Sequence, residues 1–340
     1  MSISEDGNTV AIGAPYNDEN GNSSGHVRIF ENNGGYWTQI GQDIDGEAQD
    51  DQSGQSVSLS GDGNTVAIGA PYNSGNGTQS GHVRIFQNSG GYWTQIGQDI
   101  DGENDYDYSG WSVSLSEDAN TVAIGAVGND GNGYNSGHVR IFENNGGYWT
   151  QIGQDIDGEA QDDQSGQSVS LSVDGNTVAI GATYNDGNGS NSGHVRLYSK
   201  ISDPNLGTFT WTQVGQDIDG ENFGDFSGVS VSLSENGNTV AIGAHYNDGN
   251  GNSSGHVRIF SAENDCAGCI DPLALNFDSV AYVDDGSCIF PSGCTDPFAY
   301  NYDSLAITDN GSCLYCDLTN TFLINYNTCL LYTSPSPRDR

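Results

Sequence analysis

The tetrapeptide Gly-His-Val-Arg recurs five times, at Gly25–Arg28, Gly81–Arg84, Gly137–Arg140, Gly193–Arg196 and Gly255–Arg258. Its histidines stand at 26, 82, 138, 194 and 256, so the first three steps are equal and the last is longer, where Ser199–Thr210 carries an insertion. A fixed period of this size means one supersecondary unit copied along the chain, each copy burying its apolar face against its neighbours. Function is then to be sought in the array and its loops, and not in one catalytic pocket.

The second copy shows the unit. Val57-Ser58-Leu59-Ser60 alternates apolar and polar residues, the period of a half-buried strand. Asp62-Gly63-Asn64 is a hairpin signal, and Thr65–Ala70 a second strand with small residues for close approach. After the loop Asn73–Gly81 come a third strand, His82–Phe86, a turn at Ser89–Gly91, a fourth strand, Tyr92–Ile96, and a polar connection, Asp99–Ser109. Four short strands per copy, without helical periodicity, specify an all-β fold: a β-propeller of four-stranded units, which leaves only short sheet edges. A hydrophobic fraction of 34% with 49 glycines in 340 residues suits thin seams and many turns. Trp37, Trp93, Trp149 and Trp211 occupy one repeat position, and Phe30, Phe86, Phe142, Tyr198 and Phe260 another, which reads as core between blades.

Ser53-Gly54-Gln55-Ser56-Val57-Ser58-Leu59 followed by Val66-Ala67-Ile68-Gly69-Ala70-Pro71 resembles the FG-GAP repeat of integrin α-subunit propellers and of many secreted bacterial proteins, over residues 1–262. Ser53 stands where that family usually has Phe. The turn Ser60–Thr65 is too short for the Asp-rich calcium loop of integrin-type repeats, so that metal site does not transfer. The resemblance implies a propeller that usually closes with seven blades. Five units are present, the first short of most of its opening strand and the last without its Trp-bearing strand, so an incomplete ring is expected.

Between units the chain reads Asp-x-Asp-Gly-Glu-x-x-x-Asp four times: Asp43, Asp45, Glu47 and Asp51; Asp99, Asp101, Glu103 and Asp107; Asp155, Asp157, Glu159 and Asp163; Asp217, Asp219, Glu221 and Asp225. Acidic oxygens at loop positions 1, 3, 5 and 9 are a spacing that wraps Ca²⁺, although Gly falls at position 4 where an EF-hand has it at 6. Weak calcium loops and solvated acidic turns both fit. The formal charge of −37, from 8 basic and 45 acidic residues, disfavours nucleic acid and anionic membranes and suits calcium or a salty medium. The repeat arginines are expected to pair with carboxylates across blades. The repeat histidines, one per blade, cannot converge on one metal and read as structural. His245 replaces Pro15 and Pro71 of earlier copies and reads as drift.

Cysteines first appear at 266. Cys269-Ile-Asp-Pro-Leu-Ala-Leu-Asn-Phe-Asp, closed by Cys288, returns as Cys294-Thr-Asp-Pro-Phe-Ala-Tyr-Asn-Tyr-Asp, closed by Cys313. These units resemble short Cys-bracketed tandem repeats of secreted bacterial proteins. Too small for a core, each needs a staple, so Cys269–Cys288 and Cys294–Cys313 are the expected disulfides and an oxidising compartment the expected location. Zinc at Cys266-Ala-Gly-Cys269 is the alternative, without a partner pair of matching spacing. Cys266 and Cys316 are left to pair with each other or elsewhere. The organisation read from the sequence is therefore repeats over 1–262, two Cys-bracketed units over 263–316, and a linker or new region over 317–328. Residues 329–340 resemble one frame of a transposase sequencing adapter and are expected to be artefactual. Met1–Ser4 aligns with Val57–Ser60, within a unit, so an internal fragment of a longer secreted protein is expected. No apolar run is long enough to span a membrane.

No nucleophile–base set, metalloprotease motif or phosphate loop is present. The leading expectation is a secreted or cell-surface, non-enzymatic binding or adhesion module with an extracellular protein or glycan ligand, held by loops such as Asn73–Ser80 and Asn129–Ser136. A structural spacer and a carbohydrate-active enzyme are the alternatives. Near-identity of the units weighs against catalysis. Tyr106, Tyr108 and Trp111 in the third unit are the main irregularity, an aromatic group suited to stacking on a sugar or a variable surface loop.

Overall fold

The computed structural model describes residues 1–203, 208–261, 267–269, 274–277, 283–284 and 287–315. The chain divides into Met1–Ser261 and Ala262–Arg340. Cys266, Cys316 and the segments 317–328 and 329–340 lie outside the described residues.

Met1–Ser261 is a five-bladed β-propeller array, one antiparallel sheet per repeat. In the second blade Ser56–Leu59, Thr65–Ala70, His82–Ser89 and Tyr92–Gln95 pair in chain order. The first hairpin is closed from its own sequence. Asp62 accepts the Ser60 hydroxyl at 2.6 Å and the Asn64 amide at 2.9 Å, Gly63 takes a φ of 68°, and the Ser60 hydroxyl accepts the Thr65 amide at 3.0 Å. These local bonds fix the turn that the Asp-Gly-Asn signal implied.

One element differs from the sequence reading. Within the polar connection, Ile100–Asp101 forms a fifth short strand against Val83 and His82. A single buried isoleucine between two acids has no periodicity to reveal it, yet it fills a gap beside the third strand. The insertion of the fourth blade lengthens a hairpin, with strands His194–Asp203 and Thr208–Asp219. The first blade opens on only Ser2–Ile3, and the described residues of the fifth give three strands, Ser227–Leu233, Thr239–Ala244 and His256–Ser261.

The core lies between blades. Val66, Ile68, Val83 and Ile85 are buried, and so are their counterparts in the third blade. Backbones meet where a glycine allows it: a Cβ on Gly69 would collide with the main-chain carbonyl of Gly110 in the next blade. Ser56 Oγ donates to that carbonyl at 2.7 Å, as Ser112 does to Gly166 and Ser168 to Gly228. Each inner tryptophan reaches back across the seam. Trp93 Nε1 donates to Ile40 O, Trp149 to Ile96 O and Trp211 to Ile152 O, at 3.0, 3.1 and 3.0 Å. Trp37 belongs to the first blade, has no preceding blade to enter, and is 48% exposed where Trp93 is 4%. At the other end Val257 and Ile259 are 67% and 70% exposed, while Val139 and Ile141 at the same positions are 0% and 1%. Among the described residues, these positions of the first and fifth blades are therefore more exposed than their counterparts in the inner blades.

In the tail unit the disulfides Cys269–Cys288 and Cys294–Cys313 form, each with Cα atoms 4.7 Å apart. Asn301 pins the second repeat by donating to Ser312 O at 2.8 Å and accepting the Leu314 amide at 2.7 Å. Asn276, its counterpart in the first repeat, makes the same pair of bonds to Ser287 and Ile289.

Two outcomes follow. Trp149→Ala should cost about 3–5 kcal/mol by urea denaturation, since it empties a seam and orphans the Ile96 carbonyl. Trp37→Ala should stay within about 0.5 kcal/mol of the parent, as an exposed substitution does; equal losses would contradict the seam assignment. Non-reducing peptide mapping should recover the Cys269–Cys288 and Cys294–Cys313 pairs, each contributing about 3 kcal/mol in the chain-entropy picture, and free thiols there would contradict the fold of the tail.

Candidate functional site

The connection after each blade holds two non-adjacent residues in the left-handed conformation on either side of a buried aspartate. They are Asp50 and Gln52 around Asp51, Tyr106 and Tyr108 around Asp107, Asp162 and Gln164 around Asp163, and Gly224 and Phe226 around Asp225. The frame is the same in all four connections; the flanking pair is Asp and Gln in the first and third and differs in the second and fourth.

In the third unit they are both tyrosines. Tyr108 meets Tyr72 at 5.3 Å between ring centroids, and Tyr106 and Trp111 at 6.5 Å each. Edge-on and tilted rings at these separations attract one another. With Tyr134 they line a cavity of about 500 Å³, rimmed by Asp105, Asp130, Asn135 and Gln164. Gly128, where the neighbouring copies carry Tyr72 and Tyr184, is part of the cavity lining. The main-chain carbonyl of Tyr106 and the Tyr108 ring crowd the place a Cβ would take at 128. The sequence singled out Tyr106, Tyr108 and Trp111; Tyr72, Tyr134 and Gly128 were missed because only the seam brings them in. Asp105 accepts the Thr78 amide at 2.8 Å and Asp130 the Asn135 amide at 2.7 Å, so both rim carboxylates brace loops.

A second aromatic group occupies the equivalent place in the fifth blade. Phe226 stacks with Tyr184 at 5.4 Å, Tyr246 at 5.4 Å and His245 at 5.9 Å. His245, read from the sequence as drift, is a member of this cluster.

The acidic positions of the four connections make different contacts. Position 9 is a clamp: Asp51 accepts the Ala48 amide at 2.9 Å and the Asn73 side chain at 3.0 Å, Asp163 binds Ala160 and Asn185, and Asp225 binds Asn222 and Asn247. Asp107 accepts the amides of Glu103 and Asn104. The signal was the recurrence of Asn73, Asn185 and Asn247 at one constant distance after Asp51, Asp163 and Asp225. At position 3 the main chain is used: Arg84 donates to Asp45 O at 2.7 Å, Arg140 to Asp101 O, Arg196 to Asp157 O and Arg258 to Asp219 O. Position 5 reaches forward, Glu47 to Arg84, Glu103 to Arg140, Glu159 to Arg196 and Glu221 to Arg258, at 3.4, 3.5, 3.4 and 3.9 Å. Position 1 is held by a glutamine of its own blade: Asp43 by Gln39, Asp99 by Gln95, Asp155 by Gln151 and Asp217 by Gln213, all at 2.6 Å.

What converges is position 5 of one connection, position 1 of the next, and the repeat histidine between them. The groups are Glu47–His82–Asp99, Glu103–His138–Asp155 and Glu159–His194–Asp217, with Glu19–His26–Asp43 in the first blade. Burial, seconded by the neighbouring arginine, pushes the imidazoles of His82, His138 and His194 down to about 4, so they are uncharged at neutral pH. Burial also raises the carboxyls of Glu47, Glu103 and Glu159. The Arg28 guanidinium holds Asp43 below the usual carboxylate range. The loops Asn73–Ser80 and Asn129–Ser136 are tied down by their asparagines: Asn76 donates to Gly102 O at 2.8 Å and Asn132 to Gly158 O at 2.9 Å.

The family model of the FG-GAP repeat matches residues 43–86, 100–142, 155–198 and 218–260, each stretch running from a connection into the Gly-His-Val-Arg strand. A comparison with curated proteins finds no match. Similar solved structures include a Bacteroides uniformis protein assigned as a 6-phosphogluconolactonase (12% identity, 76% of this chain and 79% of that one, TM-score 0.44). The periplasmic gluconolactonase of Pseudomonas aeruginosa is 14% identical over 76% of this chain and 80% of that one, with a TM-score of 0.39. The β-propeller domain of the trilobed protease from Pyrococcus furiosus is 11% identical over 77% and 68%, with a TM-score of 0.40.

Proposed function

This chain belongs to the FG-GAP repeat family, and on that premise we propose that its propeller is a non-enzymatic binding module, working outside the cytoplasm and taking a carbohydrate on the aromatic cavity of the third blade. The observation that carries this reading is the cavity itself. Tyr72, Tyr106, Tyr108, Trp111 and Tyr134 gather at one seam, and Gly128, without a side chain, lets Tyr106 and Tyr108 pack against it. A cavity of about 500 Å³ falls in the size range of small-molecule sites. Aromatic faces suit the C–H faces of sugar rings, and Asn135 and Gln164 at the rim offer the hydrogen bonds that hydroxyls need. Rim carboxylates engaged in bracing loops support binding over acid–base catalysis. Two disulfides in the tail favour an oxidising compartment, where a surface recognition role belongs.

The full chain should bind a restricted set of glycans on an array. Tyr106→Ala and Tyr134→Ala, at residues 52% and 63% exposed, should each weaken that binding by about tenfold, the worth of one stacking contact of roughly 1–1.5 kcal/mol, without lowering the melting temperature. Binding unmoved by both substitutions would place the ligand elsewhere. An array with no signal would reject the carbohydrate reading and leave the array as a spacer.

A further inference from the structure

We propose that the three inner Glu–His–Asp groups, Glu47–His82–Asp99, Glu103–His138–Asp155 and Glu159–His194–Asp217, each bind one divalent transition-metal ion, with Zn²⁺ the best match, and so clip successive blades together. The proposal is independent of the glycan cavity and of any single-loop calcium site.

The first observation is a buried imidazole without a partner. His82, His138 and His194 are 2%, 1% and 1% exposed. The Nδ1 atoms of His138 and His194 make no hydrogen bond. An unpaired buried polar atom carries a desolvation cost and calls for an explanation. In the third of these groups Nδ1 of His194 faces Glu159 Oε2 and Asp217 Oδ2, each at 3.8 Å. In the first, Nδ1 of His82 is 4.0 Å from Glu47 Oε2 and 3.9 Å from Asp99 Oδ2. Those separations are too long for hydrogen bonds. They place two carboxylate oxygens and an imidazole nitrogen around one point, a donor set that a cation can fill.

The second observation is how the donors are held. Gln95 Nε2 occupies Asp99 Oδ1 at 2.6 Å, and Gln151 and Gln213 do the same for Asp155 and Asp217. The arginine of the next blade lies beside the Glu Oε1 at 3.4–3.5 Å. Each carboxylate thus has one oxygen engaged from outside and the other turned to the histidine. Outer partners that orient ligands in this way are a property of metal sites.

The third observation comes from the first blade. There the carboxylate is Glu19, at a position that is Gly75, Gly131 and Gly187 in the following copies, yet it reaches the same point beside His26 and Asp43. Asp43 Oδ2 in this group is bound by Arg28 through Nε at 2.9 Å and Nη2 at 2.7 Å. A positive group already sits on that oxygen, so this blade supplies its own cation and is left out of the proposal. The inner arginines turn instead to the carbonyl of the preceding connection and pair with the Glu of their cluster at Oε1, at 3.4–3.5 Å, and not with the Asp Oδ2 that Arg28 covers in the first blade.

Donor chemistry selects the metal. Calcium takes six to eight oxygens and seldom a nitrogen, whereas imidazole with carboxylates suits zinc and its neighbours. Zinc bonds of about 2.0–2.1 Å in a tetrahedron set donors about 3.3 Å apart; in the His82 and His194 groups the carboxylates stand 3.8–4.0 Å from Nδ1, and in all three groups the donor atoms lie within 4.8 Å of one another, so a modest closing of the side chains completes the set. Glu47 and Glu159, each 45% exposed at the side chain, are free to do so. The fourth position is open to water or to a donor from a partner.

The test uses the untagged full chain, with disulfides intact and free thiols alkylated, stripped by chelator and dialysed against Zn²⁺. Elemental analysis should find about three equivalents per chain, a higher melting temperature than in chelator, and retention of zinc in a large excess of Ca²⁺. Co²⁺ in its place should give visible absorption of a low-coordinate nitrogen–oxygen site. Glu103→Gln combined with Asp155→Asn keeps His138 and the seam, so this variant should fold and melt in chelator like the parent but lose one equivalent. Less than one equivalent in the parent, the same stoichiometry in the variant, or displacement of zinc by calcium would each overturn the proposal.

Discussion

Everything in the propeller depends on the seam between consecutive blades, where two main chains come into contact. Gly69 against Gly110 sets the distance, and the serine hydroxyl of Ser56 fixes it with a hydrogen bond to the Gly110 carbonyl. At that spacing a valine–isoleucine layer fills the gap, and a tryptophan from the later blade reaches the Ile40, Ile96 or Ile152 carbonyl of the earlier one. Because the bond joins neighbours only, each blade is stabilised by those beside it, as in other repeat arrays. The exposed Trp37 and the exposed Val257 and Ile259 show the same surfaces with no neighbour present.

The connections are part of this seam, and that shapes what they can do. Position 9 locks a loop to an asparagine of the following blade, position 3 offers a carbonyl to its arginine, and positions 5 and 1 of successive connections flank its histidine. The two left-handed residues that flank the clamp are among the positions that vary between connections. Tyr106 and Tyr108 build an aromatic wall there, and Phe226 a smaller one. A rigid frame with interchangeable projecting side chains is how loops on a stable scaffold acquire recognition.

Charge is organised by the same frame. An excess of 45 acidic over 8 basic residues would by itself oppose compaction. Here each repeat arginine is shared: Arg84 binds the Asp45 carbonyl, lies beside Glu47 and covers the Phe86 ring at 5.3 Å. The guanidinium serves all three because its donors fan out in one plane.

The sequence by itself determined the repeat, the strands, the turns and the local disulfides. The reason is that each is a short-range matter. The Asp62-Gly63-Asn64 turn closes on its own hydroxyl and amide groups, and Cys269 and Cys288 are joined within one small repeat. The even spacing of His26, His82, His138 and His194 also states that every blade meets an equal neighbour. Tertiary structure alone decided which members of different copies share a site. The four carboxylates from Asp43 to Asp51 look like one ligand loop in the sequence, and in the fold Asp43 is held by Gln39, Glu47 pairs with Arg84 and Asp51 clamps Asn73. Glu47 and Asp99 belong to successive connections, far apart in the chain, and face one histidine. Gly128 carries no signal in the sequence, and the fold sets it against Tyr106 and Tyr108. Periodicity reports which residues are equivalent; only the offset between packed blades, a long-range geometric quantity, reports which residues touch.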